Sequence, residues 1–78
     1  MTVSAYVLIQ TDVGKAAGVA STVAKIAGVR SAENVTGPYD VVVKVDGATM
    51  DEVARTVVGQ IQLVDGITRT ITCEVVHL

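Results

Sequence analysis

Strict alternation opens the chain. From Val3 to Gln10 the run VSAYVLIQ puts Val3, Ala5, Val7 and Ile9 on one side and Ser4, Tyr6, Leu8 and Gln10 on the other. A period of two among β-branched and aromatic residues predicts a strand. The first side is wholly apolar and the second is apolar in its middle. After a turn around Thr11-Asp12-Val13-Gly14 the period changes. In KAAGVASTVAKIAG, Ala16, Val19, Ala20, Val23, Ile26 and Ala27 recur at helical spacing, and Gly28 is placed to stop the helix in a left-handed cap. A second, more polar strand is expected from Val29 to Thr36. Gly37-Pro38 marks a bend, and a third strand runs from Asp40 to Val45, closed by Asp46-Gly47. Thr49 then begins TMDE, a capping box with Glu52 three residues on. Met50, Val53, Ala54, Val57, Val58 and Ile61 continue the apolar stripe of the clearest helix in the chain. After Asp65-Gly66, Ile67 to Val76 alternates as the last strand.

The order is therefore β-α-β-β-α-β, and the halves echo each other, since VLIQTD and VVVKVD each precede a helix. Two right-handed βαβ units in tandem predict an α+β, ferredoxin-like fold: a four-stranded antiparallel sheet with both helices on one face. Residues 1–78 form a single domain. Two helices cover one sheet face only, yet Tyr6, Leu8, Val42, Val76 and Leu78 alternate against Val7, Val43 and Val75. Apolar residues on both faces call for cover from outside the chain.

Composition sharpens that expectation. At 78 residues, half of them hydrophobic but with no Phe or Trp, the core must be aliphatic and the domain sits near the lower size for self-sufficient folding. Burial against copies of itself is the usual remedy. The single cysteine, Cys73, excludes an intrachain disulfide and fits the cytoplasm, and no apolar run is long enough for a membrane span. A net charge of −2, with six Lys and Arg scattered singly, argues against direct nucleic-acid binding.

Few residues offer chemistry. Asp40, after Gly37-Pro38-Tyr39, has three readings: a cap for turn amides, a receiver for a ligand's amino group, or an acid or base without a visible partner. Thr68, Thr70 and Thr72, with Glu74, share one side of the last strand, the side of Val76 and Leu78. That side is expected to need a partner, so the hydroxyls either serve β propensity or meet a small polar ligand. Arg69 falls on the other side at the strand's start, where a salt bridge or a solvated role is expected. Cys73 is expected to be a small buried hydrophobe. His77 is next to last, and one His with one Cys makes no four-ligand metal site. No phosphate-cradling glycine loop and no Ser-His-Asp or Cys-His set is present, so neither cofactor nor nucleophilic catalysis is expected.

The run VTGPYDVVVKV, its spacing to GITRTITCEVV, and the opening AYVLIQT together resemble the effector-binding (RAM) domain of the Lrp/AsnC transcription regulators over essentially the whole chain. The resemblance implies a dimeric α+β barrel in which two sheets pack face to face. It also implies assembly of dimers into an octamer or similar ring, with amino-acid effectors held between dimers. The family's loop glycine, tyrosine and aspartate fall at Gly37, Tyr39 and Asp40, and its strand hydroxyls at Thr70 and Thr72. Backbone groups around Thr36 to Pro38 would take the effector's carboxylate and Asp40 its ammonium. Pro38 departs from the family pattern and lacks one N–H donor. Full-length members carry a helix-turn-helix domain, whereas here Met1 opens directly on the first strand. The expectation is thus a stand-alone, non-enzymatic sensor that binds no DNA itself and acts through full-length relatives. Two alternatives stay open: a structural assembly partner without a ligand, and a small cofactor-independent monooxygenase, for which the chain offers only Asn34 and His77.

Overall fold

A computed structural model describes residues 2–78. The elements follow in the order β1 (Val3–Thr11), α1 (Ala16–Val23), β2 (Val29–Asn34), β3 (Val41–Gly47), α2 (Met50–Gly59), a 3-10 turn (Ile61–Leu63) and β4 (Ile67–Glu74). The four strands form one antiparallel sheet in the order β2-β3-β1-β4, the ferredoxin-like arrangement expected from the pattern. β1 and β3, the most apolar strands, take the centre.

One face of the sheet carries the core. Ala5, Val7 and Ile9 of β1 and Val41, Val43 and Val45 of β3 are completely buried beneath Val19, Ala20 and Val23 of α1, Val53 and Val57 of α2, and Ile61. The whole core is aliphatic, as the composition required. The protomer is 17 Å across its shortest axis, which one sheet and one helix layer account for.

The helix ends show local chemistry. Thr49 has an extended backbone, and its Oγ1 accepts from Glu52 N at 3.2 Å. Glu52 Oε2 reaches back to accept from Ala48 N at 3.3 Å, so the box closes one residue earlier than its consensus. Thr49→Ala is expected to cost about 1 kcal/mol, read as a lower urea midpoint at unchanged m-value. α1 stops at Val23 rather than running to Gly28. Lys25 N and Ile26 N bond to Thr22 O and Val23 O, three residues back, so the chain tightens into 3-10 geometry before Gly28 turns it at φ +93°. Ile26 thereby stays packed on the core.

Strand limits also differ: β2 ends at Asn34, β3 begins at Val41 and includes Asp46-Gly47, and β4 ends at Glu74. The larger correction concerns the faces of β4. Thr70 lies opposite Ile9, Thr72 opposite Val7 and Glu74 opposite Ala5, so these residues share the helix side and not the open side. The open side receives Ile71 beside Leu8 and Cys73 beside Tyr6. Cys73 is exposed rather than buried. Arg69, opposite Gln10, also belongs to the open side and is exposed. Val76 and Leu78 lie past the strand, both exposed.

Across its middle the open face presents Tyr6, Leu8, Val42, Ile71 and Cys73, with the Lys44 ammonium 6.0 Å from the Tyr6 ring centre. At one end Ser4 Oγ donates to Asp46 Oδ1 at 2.7 Å, and the Arg30 guanidinium lies 3.6 Å from Asp46 Oδ2. No helix of the described residues is long and apolar enough to cross a membrane.

Candidate functional site

The β2–β3 connection is shaped by its backbone bonds. Val35 N donates to Asp40 O at 2.9 Å, and Asp40 N donates to Ile9 O at 2.8 Å, which pins the loop's exit against β1. Gly37 takes φ +140°, a conformation open to glycine and strained for any side chain, although a Cβ there would meet nothing. Pro38 presents its carbonyl to Gln10 Nε2 at 2.9 Å. Thr36, Gly37 and Pro38 are exposed, while Tyr39 and Asp40 are half-buried.

Asp40 does two things with one carboxylate. Its Oδ2 accepts from Thr11 N at 2.8 Å and from Thr11 Oγ1 at 3.3 Å. The turn-capping reading is therefore realised, on a partner across the sheet and not within the loop. Oδ1 accepts no hydrogen bond from the described residues. An anionic oxygen, held in place through its twin and half-open to the surface, suits a cationic or amino ligand.

Thr70 and Thr72 sit on β4, with β1 between them and β3. Two strand spacings, about 10 Å, separate β4 from the strand that Asp40 leads into. Thr70 is half-buried and Thr72 exposed. Thr36 to Asp40 and Thr70 thus lie toward one end of the sheet, whereas Thr72 pairs with Val7 at its middle, and the seven residues close no single cavity within one chain.

Three of the hollows on the surface of the described residues stand out. One of about 560 Å³ lies between α1 and the α2–β4 connection, lined by Lys15, Gly18, Gln60, Leu63 and Asp65 among others. One of about 500 Å³ lies over Ala54, Arg55 and Val58 on the outer side of α2. The third, about 320 Å³, is bounded by Gln62, Ile67, Thr68, Arg69 and Thr70. Gln62 Nε2 donates to Thr70 Oγ1 there at 2.9 Å. The loop 36–40 borders none of the three.

Sequence reading missed Thr11, Gln10 and Gln62 as the groups that hold Asp40, Pro38 and Thr70. Each acts through a contact between distant elements, and only the AYVLIQT match hinted at the first two. Among the described residues no three His, Cys, Asp or Glu side chains cluster to hold a metal ion. His77 is exposed beyond β4.

The family model of the Lrp/AsnC ligand binding domain matches residues 4–77. A search of curated proteins finds no match. Among solved structures, a protein of Thermus thermophilus is 28% identical with a TM-score of 0.90, covering 97% of this chain and 95% of that one. AsnC of Escherichia coli is 22% identical with a TM-score of 0.88, over 97% of this chain and 52% of its own. A Neisseria meningitidis transcriptional regulator, solved as a complex with L-Met, is 18% identical with a TM-score of 0.83, over 96% of this chain and 50% of its own. At such identities the last two likenesses concern the fold.

Proposed function

Since the chain belongs to the Lrp/AsnC ligand-binding domain family, a family of regulatory effector-binding modules, we propose that it is an amino-acid sensor without catalytic activity of its own. Asp40 receives the effector's ammonium, Tyr39 walls it, and the groups of Thr36 to Pro38 together with Thr70 and Thr72 complete the site when copies assemble. Copies pair through the open sheet face, and the dimers join into an octamer or similar ring in the cytoplasm. The bound state is passed to transcription through full-length regulators of the family, and the domain itself makes no contact with DNA.

The observation that carries this reading is the divided carboxylate of Asp40, one oxygen anchored on Thr11 and the other open. The apolar open face, with Leu8 flanked by Val42 and Ile71, supports pairing with a second copy. The L-Met complex of the Neisseria protein makes amino acids the first compounds to try.

Calorimetric titration with the common amino acids tests the proposal. At least one is expected to bind the wild type, with a stabilisation of about 2.7 kcal/mol at a hundredfold excess over its dissociation constant. Asp40→Asn keeps an oxygen for Thr11 but loses the charge, and is expected to abolish that response while sedimentation stays unchanged. No heat and no thermal shift with any amino acid would refute the sensor. The second reading, an assembly partner that binds nothing, is favoured by one feature: Pro38 offers no N–H and its carbonyl is already taken by Gln10. It predicts assembly with no ligand response to lose.

A further inference from the structure

Asp40 stands where the β1–β3 ladder stops. Val41 faces Ile9, and Asp40 N donates to Ile9 O at 2.8 Å. Continued by two residues, that register would set Tyr39 opposite Thr11, but β3 begins only at Val41. Thr11 N therefore meets a side-chain acceptor in place of a main-chain carbonyl, Asp40 Oδ2 at 2.8 Å. The next amide is fastened on the other side of β1: Asp12 N donates to Gly66 O at 2.8 Å, in the turn that leads into β4. Consecutive N–H groups at the end of β1 thus tie the loop 36–40 to the start of β4.

Little else holds the chain between these bonds and α1. Val13 is fully exposed, Asp12 is exposed, and a Cβ added at Gly14, φ +79°, would meet nothing within 4 Å. None of the three belongs to the core. The turn closes through Lys15 N, which donates to Asp12 O at 3.0 Å. Beyond it the Lys15 stem lies across Gly66, where a Cβ would come within 2.9 Å of Lys15 Cβ. A segment secured by a few hydrogen bonds and no buried side chain opens at low free energy, and opens as a unit. Its far side lines the 560 Å³ hollow through Gly14 and Lys15, opposite Asp65, and the loop 36–40 does not border that hollow.

We propose that the turn Thr11–Lys15 is a relay. It is closed while the Asp40 carboxylate is unshared and loosened when its charge is neutralised, and so passes the state of the 36–40 loop to the hollow beside α1. The inference rests, for its input, on the reading of Asp40 as the receiver of an ammonium, whereas the wiring lies within one protomer. Its sign follows from the carboxylate. An ionised acceptor binds an N–H roughly twice as strongly as a neutral one. A cation at Oδ1 draws on the same charge that Oδ2 offers to Thr11 N, so ligand and cap compete. Once Thr11 N is released, the backbone that aims the next amide, Asp12 N, at Gly66 O is no longer fixed. The two-state element that such coupling requires is the turn itself.

Amide hydrogen exchange of the ligand-free protein, followed by NMR in the wild type, Asp40→Asn and Glu33→Gln, tests the relay. Asp40→Asn keeps the shape and removes the charge, and Glu33→Gln removes a charge from an exposed position of β2 as the control. Relative to Val7 and Val43 at the centre of the sheet, the amides of Thr11, Asp12 and Lys15 are expected to exchange about five- to tenfold faster in Asp40→Asn. In Glu33→Gln they are expected to keep the wild-type rate. Acceleration confined to Thr11, with Asp12 and Lys15 unchanged, overturns the relay and leaves the Asp40 reading standing. Gly14→Ala probes the reverse direction, since it strains the turn at its positive φ while leaving room for the methyl group. It is expected to speed exchange at Thr11 by a similar factor, and an unchanged Thr11 rate there also overturns the relay. No ligand enters these comparisons, so they decide the relay even if no amino acid binds and the sensor reading fails. Where an amino acid does bind, saturation is expected to speed Asp12 exchange in the wild type as Asp40→Asn does, and a slowed or unchanged rate overturns the proposal.

Discussion

Leu8→Asp is expected to leave folded, free protomers, whereas the wild type is expected to sediment as an assembly at micromolar concentration. Leu8 is central on β1, between Val42 on β3 and Ile71 on β4, with Tyr6 and Cys73 one step along. Its side points away from the helices, and the fully buried core lies wholly on the other side. A carboxylate at this position is harmless to a protomer whose open face meets water. It is costly when a second copy covers that face, because the charge must be buried without a partner. The symmetry of a two-fold contact repeats the cost in both subunits. Dissociation constants are expected to rise by roughly three orders of magnitude or more. Ser21→Asp, on the exposed side of α1, is the control and is expected to assemble normally. A wild type that sediments as a single protomer, or a Leu8→Asp variant that assembles like it, would remove the face-to-face dimer from the account.

That face was legible from β1 and β3 but not from β4. In the two central strands every position has a neighbour on both sides, and the helix-facing positions of β1 and β3 must be apolar to fill the core. Alternation therefore reports the face directly, and Ala5, Val7 and Ile9 are the buried set that the pattern named. β4 has a single neighbour and stands at the margin of the helix layer. Its helix-side positions tolerate Thr70, Thr72 and Glu74, while Ile71 and Cys73 join the apolar patch on the open side. Polarity on this strand thus runs opposite to the rule that sorted the central ones. The bulge adds a second confusion, because Ile67 and Thr70 share a side although they are three apart. Similarly, the i, i+3 spacing of Val23 and Ile26 persists after α1 has ended, since the 3-10 bonds preserve it. At the candidate site, Gly37-Pro38-Tyr39-Asp40 was visible as an irregular, chemically distinct stretch. Its anchor was not: Thr11 lies 29 residues away in sequence, and only the β1–β3 register brings it to Oδ2.

The 3-10 turn after α2 joins stability to binding. Ile61 continues the apolar stripe of the helix in sequence, yet α2 stops at Gly59 and Ile61 reaches the core from the following turn, fully buried. Two residues on, Leu63 is 76% exposed. Ile61→Ala is expected to cost about 2–5 kcal/mol, the loss of transfer energy plus the cavity left behind. Leu63→Ala in the same turn is expected to change stability by less than about 0.5 kcal/mol. For a domain of this size each kcal/mol moves the melting temperature by about 4–8 °C, so the first variant is expected to melt at least about 8 °C lower. Protein concentration is held fixed in the comparison, since the proposed assembly would make melting concentration-dependent. Equal losses from the two substitutions would mean that a surface outside the protomer covers Leu63 and that the turn is not anchored by Ile61 alone. Between the two residues stands Gln62, whose amide donates to the Thr70 hydroxyl. Loosening Ile61 is therefore expected to weaken amino-acid binding through Thr70 at temperatures well below the melting transition, whereas Leu63→Ala leaves it as in the wild type.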